Sequence, residues 1–324
     1  MPFPFPPDAS KTSMNTEELP DSFSHHWQTG SRSLCWSGTL LMAIINLTPD
    51  SFSDGGRYSC PNETAFDVDK RAALQAAFQM KSDGADLFDL GGESTAPGTL
   101  PVPPEEQIRR VVPLVAEPSL QALGPVSVDT CSALVADKAL SAGAVIVNDI
   151  SGATFDKEMV NVVRRFVAGI CIGHIQGRPK DMQSAPHYNN VVDDVFHWLK
   201  ERRDILLQQG IRPEQIVVDP GIGFGKTFEQ NWELLRHIDR LEELGHPVLV
   251  GHSRKRFLRE FVQNNATRTP EGWMENLAKR LDTAPLPISR RFLSLDPIDL
   301  ATAMVSALLV QKKVAILRVH YCPE

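Results

Sequence analysis

The chain has 324 residues, of which 42% are hydrophobic and 23% charged, and its formal net charge is −7. These values are ordinary for a globular protein, and they argue against a disordered chain and against the basic surface that nucleic acids require. The longest apolar runs, residues 40–47 and 304–310, are too short to span a bilayer. No secretory signal pattern opens the chain, and the five cysteines form no C-x-x-C pair, so we expect reduced thiols and a cytoplasmic location.

The first 36 residues are expected to form a flexible N-terminal arm. Residues 1–30 are rich in Pro and Ser and lack any apolar period. A cleavable organelle-targeting segment is the poorer interpretation, because Glu17, Glu18 and Asp21 are acidic and the segment contains no Arg. Residues 37–324 are predicted to form one folded domain.

Within that domain, short apolar runs rich in Val, Ile and Leu alternate with stretches of helical spacing. The runs cover residues 40–46, 85–91, 126–129, 145–149, 168–174, 216–219, 248–251 and 314–320. Continuous apolar strands that alternate with helices are typical of a parallel sheet covered on both faces. Eight such strands favour an α/β fold of the (β/α)8 TIM barrel type, with an open doubly wound sheet as the alternative.

One stretch departs from this repeat. Residues 264–296, which precede the helix predicted over residues 297–310, are polar and contain Pro. The stretch is too long for a plain loop, so we expect an accessory lid or a surface insertion there.

Polar or flexible residues end all eight predicted strands. They are Asn46, Gly91-Gly92-Glu93, Asp129, Asn148-Asp149, His174, Asp219, Ser253-Arg254-Lys255 and Arg318 with His320. Any one of them alone is best explained as a helix cap. In a barrel, however, all eight strand ends meet at one mouth, which is where active sites of this fold lie. Two loops rich in Gly and Pro, residues 46–56 and 91–98, follow the first two strands and are expected to close over that mouth.

The residue types at the mouth indicate two kinds of ligand group. Two carboxylates and one amide, Asp129, Asn148 and Asp219, form an acceptor set suited to a planar heterocycle with several N–H groups, unless Arg or Lys neighbours simply pair with them. Lys255, Arg318 and His320 follow the last two strands, the usual phosphate corner of a barrel, although a surface basic cluster is the simpler alternative.

The Gly-rich stretch at residues 219–227 is not a Walker A loop, because Pro220 stands where that motif needs Gly. We interpret it as a turn that lets the backbone approach a ligand, with Phe224 as a wall of the site.

An ordered series of motifs, from about residue 42 to residue 320, resembles the dihydropteroate synthase family. The blocks are N-L-T-P-D-S-F-S-D-G-G at 46–56, G-G-E-S-T at 91–95, S-V-D-T at 127–130, V-N-D-I-S-G at 147–152, H-I-Q-G at 174–177, D-P-G-I-G-F-G-K at 219–226, S-R-K at 253–255 and R-V-H at 318–320. The resemblance implies a TIM barrel that condenses 6-hydroxymethyl-7,8-dihydropterin diphosphate with 4-aminobenzoate, using Mg²⁺, to give 7,8-dihydropteroate and pyrophosphate. It also implies a homodimer with small-molecule substrates and no nucleic-acid or membrane partner.

The resemblance also assigns roles by position. The implied catalytic residues are Phe52, Asp54, Lys255, Arg318 and His320. The implied substrate-binding residues are Thr95, Asp129, Asn148, Asp219, Phe224, Ser253, Lys255, Arg256, Arg318 and His320. Asn46 matches the residue associated with the metal and pyrophosphate, and Phe52, Asp54 and Thr95 match the loops that build the aminobenzoate pocket.

Three features depart from the family pattern, two single positions and the end of the chain. Ala96 stands where the second loop usually has Arg, and Arg256 stands where the family has the Ser associated with the aminobenzoate carboxylate. The chain also ends four residues after His320, so we expect a barrel that lacks the family's last helix. These departures keep open a catalytically altered or inactive pterin-binding paralogue. A pterin-dependent methyltransferase domain is the other alternative, although it would lack the S-R-K and R-V-H blocks.

Overall fold

The structure, a computed structural model, describes residues 24–48, 59–60, 67–288 and 293–320. Its strands are, in chain order, β1 (His25–Thr29), β2 (Arg32–Trp36), β3 (Leu40–Asn46), β4 (Ser59–Cys60), β5 (Asp67–Val68), β6 (Leu87–Gly91), β7 (Val126–Asp129), β8 (Ile146–Asp149), β9 (Gly169–Gly173), β10 (Ile216–Asp219), β11 (Leu249–Val250) and β12 (Ile316–Val319). Its α-helices are α1 (Lys70–Ser82), α2 (Pro104–Val115), α3 (Pro118–Gln121), α4 (Ala133–Ala142), α5 (Met159–Phe166), α6 (Val191–Gln208), α7 (Phe228–Arg236), α8 (Arg256–Asn264), α9 (Pro270–Leu281) and α10 (Pro297–Gln311). Short 3₁₀ helices cover Pro213–Gln215 and Ile238–Leu244.

Eight of the strands form one parallel sheet in the order β10-β9-β8-β7-β6-β3-β12-β11. A parallel bridge between Val218 and Val248 joins the two outer strands, and Val218 N donates to Pro247 O at 3.1 Å. The sheet therefore closes on itself, with helices between successive strands. The predicted (β/α)8 barrel is confirmed, and the open sheet is wrong.

The register of the sheet places the polar strand ends side by side. Asn46 pairs with Gly91, Gly91 with Asp129, and Asp129 with Asn148. The strands read as near-continuous Val, Ile and Leu because side chains on one face fill the barrel and those on the other pack under the helices. Strands β8 and β10, for example, are buried over their whole length.

A hairpin of β1 and β2 corrects the predicted arm of residues 1–36. The two strands pair antiparallel, and the fully buried Trp27 packs with the residues that fill the barrel. Its indole N–H donates to Gln215 O at 2.8 Å, and Trp36 is buried in the same cluster. Residues 25–36 thus belong to the folded domain, because two large aromatic side chains are anchored on the barrel end opposite the strand-end mouth. Residues 1–23 lie outside the described residues.

Within the predicted insertion at residues 264–296 the structure describes a regular helix of the outer layer, α9, which corrects the expectation of a lid. Helix α9 begins after Thr269, whose hydroxyl accepts a hydrogen bond from Gly272 N. It packs against α7 and α10 and buries Trp273 and Leu277. The apolar face of this helix was obscured in the sequence by its polar flanks.

The described chain ends after β12 at His320, so the predicted loss of a helix beyond this strand lies outside the described residues. Among the helices that the structure describes, none is long and apolar enough to cross a membrane.

Candidate active site

A cavity of about 760 Å³ opens at the carboxyl ends of the barrel strands. The predicted site residues that line it are Asn46, Thr95, Asp129, Phe224, Ser253, Lys255, Arg256, Arg318 and His320. Asn148 and Asp219 are buried at neighbouring strand ends. Phe52 and Asp54 lie outside the described residues. The barrel therefore brings the predicted strand-end residues to one place.

Arg318, on β12, holds the centre of the site together. Its Nε donates to Asp89 Oδ2 at 2.6 Å, and its Nη2 donates to Asp129 Oδ2 at 2.7 Å. Asn148 Nδ2 donates to the same Asp89 oxygen at 2.9 Å. The Arg318 guanidinium on β12 thus bonds directly to β6 and β7, and Asp89 extends the network to Asn148 on β8. We call the buried and partly buried polar residues at the base of the cavity the floor: Asp89, Asp129, Asn148, Asp219, Lys255 and Arg318.

The charges of this network depend on burial and on each other. Burial raises the pKa of Asp129 to about 7, against the lowering effect of Arg318 and with further raising by Asp89. Burial alone would lower the pKa of Arg318, but the Asp89 and Asp129 carboxylates raise it above its usual value. Arg318 is therefore a permanent cation, whereas Asp129 changes its charge near neutral pH.

Asp89 was missed in the sequence analysis. It lies inside β6, two residues before the end of the strand, and its side chain has no exposed surface. A signal was present, because a lone carboxylate in the apolar run Leu87-Phe88-Asp89-Leu90 must have partners if it is buried. Asp89 was missed because only residues at the strand ends were considered as site residues.

Asp219 and Lys255 are two further charged groups in the floor, and each shifts the pKa of the other. Asp219 Oδ1 accepts a hydrogen bond from Gly221 N at 2.7 Å, and burial raises the pKa of this carboxyl although Lys255 opposes the shift. Burial lowers the pKa of Lys255 to about 8, and Asp219 counteracts it. The Lys255 ammonium donates to Ile222 O and lies 4.1 Å from the centroid of the Phe224 ring, so Phe224 does form a wall beside a cation.

The Gly-rich turn after β10 packs too closely for side chains. Gly221 has a φ of +67°, and a Cβ there would lie 1.8 Å from His174 O. The Lys226 amine, which the sequence analysis did not single out, holds the turn by donating to Gly221 O at 2.9 Å and Phe224 O at 3.0 Å. It also lies 2.9 Å from His174 Nδ1. The turn therefore shapes the wall of the cavity, and Lys226 is a structural part of it.

His320 lies at the corner between β12 and the loop after β11. Its backbone N donates to Ser253 Oγ at 3.1 Å, and its Nε2 lies 3.5 Å from Asn46 Nδ2. Burial lowers the pKa of His320 well below its usual value, and Arg318, Arg254 and Lys255 lower it further. His320 is thus neutral at physiological pH, and the positive charge of this corner comes from its Arg and Lys neighbours.

Side chains above the floor are more exposed. Thr95 and Ala96 are half-buried, and Arg256 is an exposed first residue of α8. We call these three residues the rim. The loop that carries Thr95 is closed by Thr99, whose hydroxyl donates to Ser94 O at 2.8 Å and to Ala96 O at 2.7 Å.

The described residues contain no cluster of three or more His, Cys, Asp or Glu side chains that would hold a metal ion by themselves. Asn46 lines the cavity next to His320 and offers one amide oxygen. A hard cation here would therefore take most of its oxygen ligands from substrate and water.

Comparison with known proteins identifies the family. The family model for pterin-binding enzymes matches residues 42–320. The chain belongs to the pterin-binding enzyme family. A dihydropteroate synthase from Synechocystis sp. is 41% identical to this chain over 244 residues, which cover 75% of this chain and 81% of that protein.

Two solved structures resemble the barrel of this pterin-binding enzyme. Dihydropteroate synthase from Yersinia pestis, in a complex with a sulfonamide drug, has a TM-score of 0.74 at 30% identity and covers 91% of this chain and 94% of its own. The Xanthomonas albilineans enzyme, in complex with 7,8-dihydropteroate, has a TM-score of 0.67 at 29% identity and covers 92% of each chain. The resemblance inferred from the motifs is thereby confirmed, and the roles of single residues stay predictions.

Proposed function

We propose that this pterin-binding enzyme is a dihydropteroate synthase, which condenses 6-hydroxymethyl-7,8-dihydropterin diphosphate with 4-aminobenzoate to form 7,8-dihydropteroate and pyrophosphate in folate biosynthesis. The observation that carries the proposal is the floor, where buried carboxylates and cations from separate strands meet under one cavity. Its carboxylate and amide oxygens suit a heterocycle rich in N–H groups, and its cations suit a diphosphate.

In this proposal the pterin binds to the floor. Asp129, Asn148 and Asp219 accept hydrogen bonds from the amino and ring N–H groups of the pterin. Within the described part of the chain, Asp129 Oδ1 and Asp219 Oδ2 accept no hydrogen bond, which leaves each carboxylate one oxygen for a ligand. Phe224 and Lys255 flank the ring.

The diphosphate lies toward Ser253, Lys255, Arg318 and His320. Mg²⁺ fits this corner through the Asn46 amide oxygen, because Mg²⁺ is commonly held by few protein oxygens together with substrate phosphates. When bound, Mg²⁺ neutralises part of the diphosphate charge. Lys255 and Arg318 supply fixed donors to the same group, and His320 contributes a neutral imidazole.

The aminobenzoate binds at the rim. Thr95 and Arg256 line the outer part of the cavity, and Arg256 can pair with the carboxylate of this substrate. Phe52 and Asp54 are assigned to the same pocket, and this assignment rests only on the motif of the first loop.

The chemistry requires no protein nucleophile. The amine nitrogen of 4-aminobenzoate forms a bond to the pterin methylene carbon, and the bond from that carbon to the diphosphate oxygen breaks. The electron pair of this bond leaves with pyrophosphate, and the amine releases one proton. Lys255 and Arg318 stabilise the departing negative charge. Loops that exclude water protect the cationic methylene carbon from hydrolysis.

Purified protein incubated with dihydropterin diphosphate and Mg²⁺ tests the function. Dihydropteroate synthase activity requires pyrophosphate release that depends on 4-aminobenzoate, with 7,8-dihydropteroate as the second product. Binding of the pterin diphosphate without any turnover would instead support an inactive paralogue. Failure to bind it at all would contradict the proposal.

Three finer statements accompany this function. We propose a homodimer, a cytoplasmic location and inhibition by sulfonamides that compete with 4-aminobenzoate. Light scattering, cell fractionation and steady-state inhibition with varied 4-aminobenzoate test them separately.

A further inference from the structure

We propose that Asp89 is a positioning residue, which holds the Arg318 guanidinium so that one oxygen of Asp129 stays free for the bound pterin. This inference rests on the proposed function, because it deepens the role of the same floor.

The contacts of Arg318 carry the inference. Its Nε bonds to Asp89 and only its Nη2 bonds to Asp129, so the pairing with Asp129 uses a single carboxylate oxygen. An arginine next to a lone carboxylate tends to form two parallel hydrogen bonds to both oxygens. Asp89 prevents this arrangement by occupying Nε. Asp129 Oδ1 therefore has no partner among the described residues, although Asp129 lines the cavity.

Asp89 holds the side chains of other floor residues and does not itself reach the cavity. It has no exposed surface and does not line the cavity. Its Oδ2 accepts from both Arg318 and Asn148, so it holds a second pterin-binding side chain as well. Its Oδ1 is buried and has no hydrogen-bond partner among the described residues. A buried oxygen without a hydrogen bond lowers the stability of the fold, so a carboxylate at this position is not explained by stability alone.

Without Asp89, Arg318 would swing onto Asp129. The Nε group would lose its acceptor, and both oxygens of Asp129 would then be taken by the guanidinium. The pterin would lose a hydrogen-bond acceptor although Asp129 and Arg318 are both still present. In a protein that already lacks Arg318, the loss of Asp89 should therefore cause no further fall in pterin affinity.

Asp89→Asn and Asp89→Ala test this with unphosphorylated dihydropterin, whose binding needs no turnover. Asn keeps an acceptor for Nε but loses the charge, and it nearly preserves the volume. We expect calorimetric affinity to fall about threefold to tenfold for Asp89→Asn and about tenfold to a hundredfold for Asp89→Ala. Asp149→Asn is the matched control, because Asp149 is equally buried two strands away on β8, and its carboxylate bonds to Cys131 and to its own turn, where Ser151 N donates to Oδ1 at 2.8 Å. We expect this control to lose thermal stability but less than threefold in affinity.

The double variant Asp89→Asn with Arg318→Ala separates positioning from a merely structural role. Its affinity for dihydropterin should lie within about threefold of that of Arg318→Ala alone, because the competing guanidinium is absent. Additive losses in the double variant, or wild-type affinity in Asp89→Asn, would overturn the inference. If the wild-type protein itself does not bind dihydropterin, the proposed function fails, and that result is distinct from either of these.

Discussion

The floor and the rim of the cavity hold their side chains by different means. In the floor, Arg318 and Lys255 are tied to carboxylates and backbone carbonyls, and Asp219 is tied to the turn that follows it. In the rim, Arg256 is exposed and Ala96 has no polar side-chain atom. Apart from Lys255, which directly precedes α8, the floor is built on barrel strands, whereas the rim is built on a loop and on the first residue of that helix.

This difference bears on which changes the site tolerates. Asp89, Asp129, Asn148 and Arg318 share hydrogen-bond partners, so a substitution among them leaves a buried charge or donor without its partner, which is costly. A rim residue meets water when its ligand is absent, so its loss leaves no such penalty. We therefore expect substitutions in the floor to have large effects and those in the rim small ones.

Arg318→Ala should produce the largest effect. It removes a fixed donor to the departing pyrophosphate, and loss of such a donor typically lowers kcat about 10²–10³-fold. Single-turnover measurement of pyrophosphate release checks this. Arg318→Lys is the matched variant, because it keeps the positive charge but loses the planar guanidinium with its several N–H donors. If Arg318→Ala turns over as fast as the wild type, Arg318 does not stabilise the departing pyrophosphate.

Asp219→Asn should weaken dihydropterin binding next most strongly. The change places an amide donor opposite ligand N–H groups, and a buried donor without a partner costs about 1–3 kcal/mol, or roughly tenfold to a hundredfold in affinity. Calorimetry with dihydropterin measures it. Asp149→Asn again serves as the control, and equal affinity in the wild type and Asp219→Asn would show that Asp219 does not bind the pterin.

The pH dependence of pterin binding should follow Asp129. Because its pKa is raised to about 7, this side chain is a carboxylate above that pH and a neutral acid below it. Only the carboxylate is an acceptor on both oxygens, so dihydropterin affinity should fall as the pH drops below 7, approaching about tenfold per pH unit. Titrations between pH 5 and 8 test this, and Asp129→Asn should flatten the curve at low affinity. A wild-type curve that is already flat would contradict the assignment.

Changes in the rim should have the smallest effects. An exposed ion pair is worth about 0.2–1 kcal/mol, so Arg256→Ser should raise the KM for 4-aminobenzoate no more than about fivefold and leave kcat unchanged. Ala96→Arg adds a cation to the same pocket, and the double variant shows whether one Arg replaces the other. If Ala96→Arg alone raises kcat/KM steeply and Arg256→Ser changes nothing, Arg256 does not compensate for Ala96, and the natural pocket is impaired.

Much of the fold and of the floor could be predicted from local patterns. The repeated apolar runs predicted eight strands because a parallel sheet buries both of its faces. Asp129, Asn148 and Asp219 could be recognised because polar residues that end such runs must lie at the barrel mouth. The family motifs supplied the expected substrates, since they follow one another in order from residue 46 to residue 320.

Other features depended on contacts between residues that are distant in the chain. Trp27 looked like part of an arm because its partner, Gln215 O, lies 188 residues away. Helix α9 could not be told from a lid because the sequence does not show that its apolar residues pack against α7 and α10. The local signal at Asp89 did not identify its partner, because Arg318 lies 229 residues further along the chain.

The sequence by itself determined the strand repeat, the barrel and the chemical types of residue at its mouth, because hydrophobic periodicity and strand-end polarity are local properties. Only the tertiary structure decided which carboxylate oxygens are free and which are occupied. That choice depends on how Asp89, Asp129 and Arg318 from three strands share a few hydrogen bonds, and such sharing is fixed only when the barrel closes.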